Sequence, residues 1–381
     1  MTGKSFPIRK LLINLYIGII AVFSFTTAIG QTTYENTRVI RNVTNSIAVD
    51  NVCALPTLTL MADGAIIAAL YNQPSKGFTE GDVVCYKSLD NGYTWHQVGT
   101  PAQHEPGSVR INHAAGLSND GSLVLLCSGW SGRDLREYLL PILVCRSSDG
   151  GKTWVRDGSV ILPENMPMLI PYGDVIRVNP ELLAVTAYHG YSDSDQNRAY
   201  LLFSRDDGRT WENPATIGEV DHRDGSTDIY LNFNETSVLP VQRNRWLAAA
   251  RSNIPNADIR LLVSENGGRY WKIPEKQSSR GITGKSEYPG HLLKLKDGRI
   301  LLTYGIRWGE QGIGARISSD EGRTWSPPMA VIYYGGSDGG HPSSIQLADG
   351  TIVTAYYSDK NRFHHRYYMG VLHWKAPERM D

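Results

Sequence analysis

The residues of this chain best suited to chemistry are Arg110, Asn112, His113, Tyr172, Asp174, Asn234, Glu235, His291 and His341. They stand where a purely structural strand would carry Val or Ile. Each comes just before, or just inside, the first apolar run of one of a series of hairpins. Only the first hairpin is apolar at that place, where it reads Ala54-Leu55-Pro56. If the hairpins all start around one mouth, these polar side chains converge there. The chemistry they offer is acid/base work: histidine titrates near neutrality, and an imidazole at His341 could polarise Tyr357 on the strand that follows it. Glu235 is the carboxylate of the set. In the competing reading His291 and His341 only satisfy backbone groups, and Glu235 with Arg251 is a buried structural ion pair.

The elements that must position these residues repeat along the chain. An apolar run, an Asp-Gly turn and a second apolar run recur at Asp63-Gly64, Asp120-Gly121, Asp297-Gly298 and Asp349-Gly350. Versions without Asp-Gly lie around Asn179-Pro180 and Pro240. These read as hairpins beginning near residues 52, 109, 172, 232, 288 and 339. Behind them comes a second repeat, Ser-x-Asp-x-Gly-x-Thr-Trp. It occurs at Ser88–Trp95, Ser147–Trp154, Ser204–Trp211 and Ser318–Trp325, with a worn copy at Ser264–Trp271 that has Asn266 for Asp and Tyr270 for Thr. Asp can accept backbone N–H bonds, Gly can take positive φ, and the Trp ring can pack between neighbouring units. Near-constant spacing of the tryptophans marks repeated supersecondary units. Each unit reads as a four-stranded antiparallel sheet, and six such sheets set radially make a six-bladed β-propeller, an all-β fold. The last unit is short, so the segment from Thr37 to Val43 is expected to supply a strand that closes the ring.

Bulk composition narrows the classes. Lysine plus arginine and aspartate plus glutamate both number 38 in 381 residues, and no polybasic run appears, so nucleic acid is not an expected partner. Lys4, Arg9 and Lys10, the apolar run from Leu11 to Phe25 and the small residues before Gln31 read as a secretory signal over residues 1–30. A membrane anchor competes with that reading, but an apolar run of about fifteen residues is short of the roughly twenty a spanning helix needs. A secreted or periplasmic protein with no membrane span after cleavage is therefore expected, with residues 31–381 as one domain. Cys53, Cys85, Cys127 and Cys145 lie in apolar runs without metal-ligand spacing, which suggests buried thiols or one pair. Neither a cofactor nor a metal is expected.

The repeated Ser-x-Asp-x-Gly-x-Thr-Trp turns in a six-unit pattern resemble the Asp-box, or BNR-repeat, sialidase superfamily over nearly the whole chain after the signal. That resemblance implies a glycan substrate and exo-acting hydrolysis. It also implies a carboxylate-gripping arginine triad, a Tyr nucleophile with a helper Glu, and an Asp acid/base. On this sequence it assigns Glu235 and, across one hairpin, Arg251 as the second triad arginine. Arg307 would be the third, with Arg316 as competitor, and Asp82 or Glu80 falls where the acid/base would be. Three places depart from the family: Ala54-Leu55-Pro56 stands where the first arginine belongs, His341 where the nucleophile belongs, and Tyr356-Tyr357 where the helper Glu belongs. The expected catalytic set is thus Glu235, His341, Tyr357 and Asp82, with Arg110, His113, Arg251, His291, Arg307 and Tyr356 binding substrate. A propeller-fold polysaccharide lyase remains open. So does a non-catalytic carbohydrate-binding propeller, with Trp130, Tyr191, Trp308 and Tyr333 stacking on sugars. His364 and His365, with Arg362 and Arg366, read as a solvated face.

Overall fold

A computed structural model describes residues 37–190, 197–218, 232–253, 258–274 and 281–378. The export segment expected over residues 1–30, and Tyr191, lie outside them. Apart from one short 3-10 turn at Arg133–Leu135, every described regular element is a strand, and the strands form a propeller-like arrangement of sheets.

Strands that follow one another in sequence pair antiparallel. Thr57–Leu60, Ile66–Tyr71, Val83–Ser88 and His96–Ala102 make one four-stranded sheet, and Phe233–Pro240, Trp246–Ser252 and Ile259–Ser264 make a three-stranded one. Two further meanders, one starting at Ser108–Leu117 and one at Ile170–Asn179, fuse into an eight-stranded sheet. They join where Gly173, Asp174 and Val175 pair parallel with Ala114, Ala115 and Gly116. The first strand of each meander lies against the first strand of the next, and Gly339–Gln346 of the last meander lies against Thr57–Leu60 of the first. That closed order of inner strands positions the site.

The closing strand is displaced from its expected place. Thr44–Asp50, not residues 37–43, pairs with Tyr368–Trp374 and completes the last sheet, while Arg38–Val39 pairs parallel with Met329–Ala330 of the sheet before it. Thr44–Asp50 carries Asn45 and Ser46 and stays largely exposed, so it lacks the alternating apolar signature of a half-buried strand. What anchors it is partly polar, since Tyr356 Oη donates to Asn45 Oδ1 at 2.9 Å.

The repeated boxes are turns of one design. In Ser88–Trp95, Ser88 Oγ donates to Asp90 Oδ1 (2.8 Å), Thr94 N and Thr94 Oγ1 donate to the same carboxylate, and Trp95 Nε1 donates to the Gly92 carbonyl (2.9 Å). Gly92 has φ 93°, a conformation open to glycine at no steric penalty. The worn copy survives because the Asn266 side-chain oxygen Oδ1 accepts from Ser264 Oγ and Tyr270 N, both at 2.9 Å. Each Trp packs toward a neighbouring meander: Trp95 shares a core cluster with Ile345 and Val353 of the last sheet, and Trp211 shares one with Val124 and Leu126. All four cysteines are free and buried. Trp211 is fully buried, so Trp211→Ala should lower stability by about 3–5 kcal/mol in urea unfolding. A loss below about 1 kcal/mol would show that the box tryptophan does not hold the meanders together.

Candidate active site

The inner strands bring most of the expected residues to one place. Asn112, His113, Tyr172, Asp174, Glu235, His291 and His341 line a common central recess. Outward of it, and sharing Asn112, Glu235 and His341, opens a cavity of about 250 Å³ that also meets Lys76, Arg136, Arg251 and Arg307.

Glu235 is the centre of this group. It follows Asn234 on Phe233–Pro240, and the irregular register between Phe233 and Thr236 turns its side chain to the cavity. Its Oε2 accepts from Arg251 on the neighbouring strand, and its Oε1 lies 3.5 Å from His341 Nε2. Burial works against ionisation of Glu235, but Arg251 and then His341 and Arg307 outweigh it and hold the carboxyl down at about 2. Burial, followed by the charges of Arg307, Arg251 and Lys76, pushes His341 down to about 3 against the opposing pull of Glu235. At neutral pH the pair is therefore a carboxylate beside a neutral imidazole. His341 also sits at φ 49° immediately before Pro342, a backbone state that non-glycine residues adopt at a cost of about 1–3 kcal/mol and that recurs at functional sites.

Arg251 and Arg307 share one aromatic ring, their guanidinium carbons 4.2 and 5.6 Å from the centre of Tyr288. Arg307 is fixed by the Gly339 carbonyl, which accepts from Nε and NH2 at 2.9 and 2.7 Å. It also donates to Tyr357 Oη at 2.9 Å. The competitor Arg316 donates to the Ser326 carbonyl and does not reach the cavity, so Arg307 is the arginine of this wall.

Four expected residues lie elsewhere or are differently engaged. Arg110 is buried outside the cavity, held by Glu105 (2.9 Å) and the Pro141 carbonyl (3.0 Å), because the strand register shifts between it and Asn112. Asp82 accepts from His104 N at 2.8 Å and lies 2.7 Å from His104 Nδ1, and Glu80 accepts from Gly107 N, so both carboxylates stitch loops together. Tyr356 points into the core against Tyr334, since strand alternation sends it to the face opposite Tyr357. Tyr357 lies beneath His341, its ring centre 5.5 Å from the imidazole, but its hydroxyl donates to Asp338 (3.1 Å) rather than to the histidine. Burial keeps its phenol protonated despite Arg307, which does not suit a nucleophile. His113 is braced between the Ile111 and Ala69 carbonyls, and His291 Nε2 meets Asp174 Oδ2 at 2.9 Å, both in the inner recess. Lys76 and Arg136 stand on the cavity wall without having been anticipated, because they come from loops outside both repeats.

The BNR repeat-like domain family matches residues 98–307, more than half of the chain. This chain belongs to that family. The BNR repeat-like fold is shared with a protein of unknown function from Dyadobacter fermentans (TM-score 0.70, 22% identity, covering 88% of this chain and all of that one). It is also similar to a sialidase from Streptococcus pneumoniae (TM-score 0.63, 11% identity, 86% and 70% covered). A third similar structure is an α-L-arabinanase from Penicillium chrysogenum (TM-score 0.57, 14% identity, 86% and 94% covered). Comparison with curated protein sequences gives no match. The fold is thus that of the sialidase-like β-propellers.

The depressed values of His341 and Glu235 contribute to the pH response of this BNR repeat-like protein. Folded His341 refuses a proton that the unfolded chain accepts, so its contribution is complete above pH 6.5 and is lost as pH falls toward about 3. Glu235 adds a similar loss only below 4.5, as pH falls toward about 2. In urea unfolding between pH 6.5 and 4.5, wild type should lose stability more steeply than His341→Gln. Equal slopes would mean that His341 titrates normally.

Proposed function

We propose that this chain is an exported glycan-cleaving enzyme, a single domain over residues 31–381 built as a six-bladed wheel, that removes a terminal anionic sugar by hydrolysis. The closed order of inner strands supports the wheel, and the leading basic and apolar run supports export. The observation that carries the function is the wall of the outer cavity. Lys76, Arg136, Arg251 and Arg307 line it with one carboxylate, Glu235, and neutral His341, and Asp338 behind the wall pairs with Lys76 and Arg307, so four cations stand against two carboxylates. Such an excess of positive charge in a partly enclosed site favours an anionic ligand. At about 250 Å³ the cavity is smaller than the ~300–1,000 Å³ of most drug-sized ligand sites, which suits one sugar ring at a chain end.

In this reading Arg251 and Arg307 hold the carboxylate of the sugar. His341 takes the proton of the attacking water as its oxygen bonds to the anomeric carbon and the glycosidic C–O bond breaks. Glu235 stabilises the imidazolium that forms, and that imidazolium returns the proton to the departing sugar oxygen. The similar structures named as sialidases and an arabinanase support a glycoside hydrolase-like propeller.

One observation favours a second reading. Glycosidases generally need a carboxylic acid kept protonated to assist the leaving group, whereas Glu235 is held ionised by Arg251. A lyase needs a neutral base near a charge-neutralised carboxylate. His341, in the same cavity as Arg251 and Arg307, takes the proton next to that carboxylate as the C–O bond to the leaving sugar breaks, and the imidazolium passes that proton to the departing oxygen. Incubation with a panel of acidic glycans separates the two, since hydrolysis releases a saturated sugar and elimination an unsaturated one. Either product should fall about 10²–10⁴-fold in His341→Ala and Glu235→Ala. Binding with no product under any condition would make this a carbohydrate-binding propeller instead.

A further inference from the structure

Asp338, at the entrance to the last sheet, gathers side chains from distant parts of the chain. Lys76 Nζ donates to its two oxygens at 2.9 and 3.0 Å, Tyr367 Oη at 3.0 Å, Tyr357 Oη at 3.1 Å and Arg307 NH2 at 3.3 Å. Two of these, Lys76 and Arg307, are cations of the cavity wall. The carboxylate therefore sits behind the wall and ties together a residue of the first meander and one of the fifth.

The loop that delivers Lys76 is itself clamped. Arg136 donates to the carbonyls of Lys76, Gly77 and Leu135, so much of its guanidinium is spent on backbone. Gly77, at φ 72°, lies under that guanidinium, and a Cβ there would come within 2.8 Å of Arg136 NH2. The Lys76 ammonium, by contrast, hydrogen-bonds only to Asp338 among the described residues and lies 5.8 Å from the centre of the Tyr357 ring, and Lys76 is one of the residues lining the cavity.

We propose that Lys76 is the third ligand-binding cation of this cavity, beside Arg251 and Arg307, and that Asp338 is the residue that positions it. Arg136 holds the loop from behind. The inference rests on the anion-binding half of the functional reading and is independent of bond cleavage. An ammonium is a compact point charge with three rotatable donors, whereas a guanidinium is a planar fork matched to a carboxylate. A wall finished by lysine therefore accepts an anionic oxygen from a planar carboxylate or from a tetrahedral sulfate group.

The test is calorimetric titration of the mature protein with D-glucuronate, with inorganic sulfate and with neutral D-glucose, alongside Lys76→Met, Lys76→Arg and Asp338→Asn. Wild type should bind at least one of the two anions and not glucose, and the stronger anion identifies which group the wall prefers. Lys76→Met should weaken that anion about tenfold, the scale of one partly desolvated charge contact, while Lys76→Arg stays within about threefold. Asp338→Asn is the sharper case because it makes the wall more positive. If net charge alone mattered the anion would bind more tightly, whereas loss of positioning should weaken it about threefold or more. Tighter binding in Asp338→Asn, unchanged binding in Lys76→Met, or a wild type that binds neither anion overturns the proposal. Lys76 lies on a loop with about a third of its side chain exposed, so its variants decide the matter even where Asp338→Asn does not fold. Anion binding with this pattern but no glycan product would sink the enzymatic reading and leave this one standing.

Discussion

A carboxylate buried at the centre of a β-wheel must be matched by positive charge, and that requirement organises the inner end of this molecule. Glu235 would be protonated in an apolar channel, because burial disfavours its charged form. Arg251, one strand away, keeps it ionised, while burial, helped by the same positive surroundings, empties His341 of its proton. Removing either member of such a pair leaves the other buried without compensation, a change that typically destabilises by about 3–5 kcal/mol. The arrangement is therefore costly to build and hard to explain as packing alone, and it supports the functional reading that the cationic cavity wall carries.

The rest of the fold serves to hold the contributing strands at one mouth. Box turns fix the outer strands through a carboxylate that accepts Ser, Thr and backbone donors, and their tryptophans fill the space between meanders. Inner strands are left free to carry polar residues, since their stability comes from neighbours on both sides. His341 illustrates the trade, sitting in a left-handed backbone conformation ahead of a proline and pressed against Tyr357. Arg307 and Lys76 reach the same cavity through Asp338, so strands far apart in sequence share one electrostatic unit.

Much of the architecture was legible in the residues alone, because turn chemistry is local. A Ser, an Asp, a Gly and a Trp in fixed order determine a turn wherever they fall, and the start of four of the six inner strands followed from Asp-Gly hairpins, the other two from the same apolar spacing without Asp-Gly. Glu235 and His341 were legible for the same reason, since both stand at a repeat position that otherwise calls for an apolar residue. What escaped was side-chain direction and loop path. Register shifts within the first strands turned Arg110 away, and alternation buried Tyr356 while leaving Tyr357 under the site. Lys76, Arg136 and Asp338 belong to no repeat, and their partners lie tens to hundreds of residues away. The closing strand Thr44–Asp50 is exposed and polar, so its pairing with the last sheet has no local signature.

The central claim is that Glu235 and Arg251 form one buried charge unit on which the site depends. A double-mutant cycle with Glu235→Gln and Arg251→Met, read by urea unfolding at neutral pH, measures that coupling directly. An interaction of about 2–3 kcal/mol is expected, with the double variant losing that much less stability than the two single variants summed. Single-variant losses that add to within about 0.5 kcal/mol would contradict it.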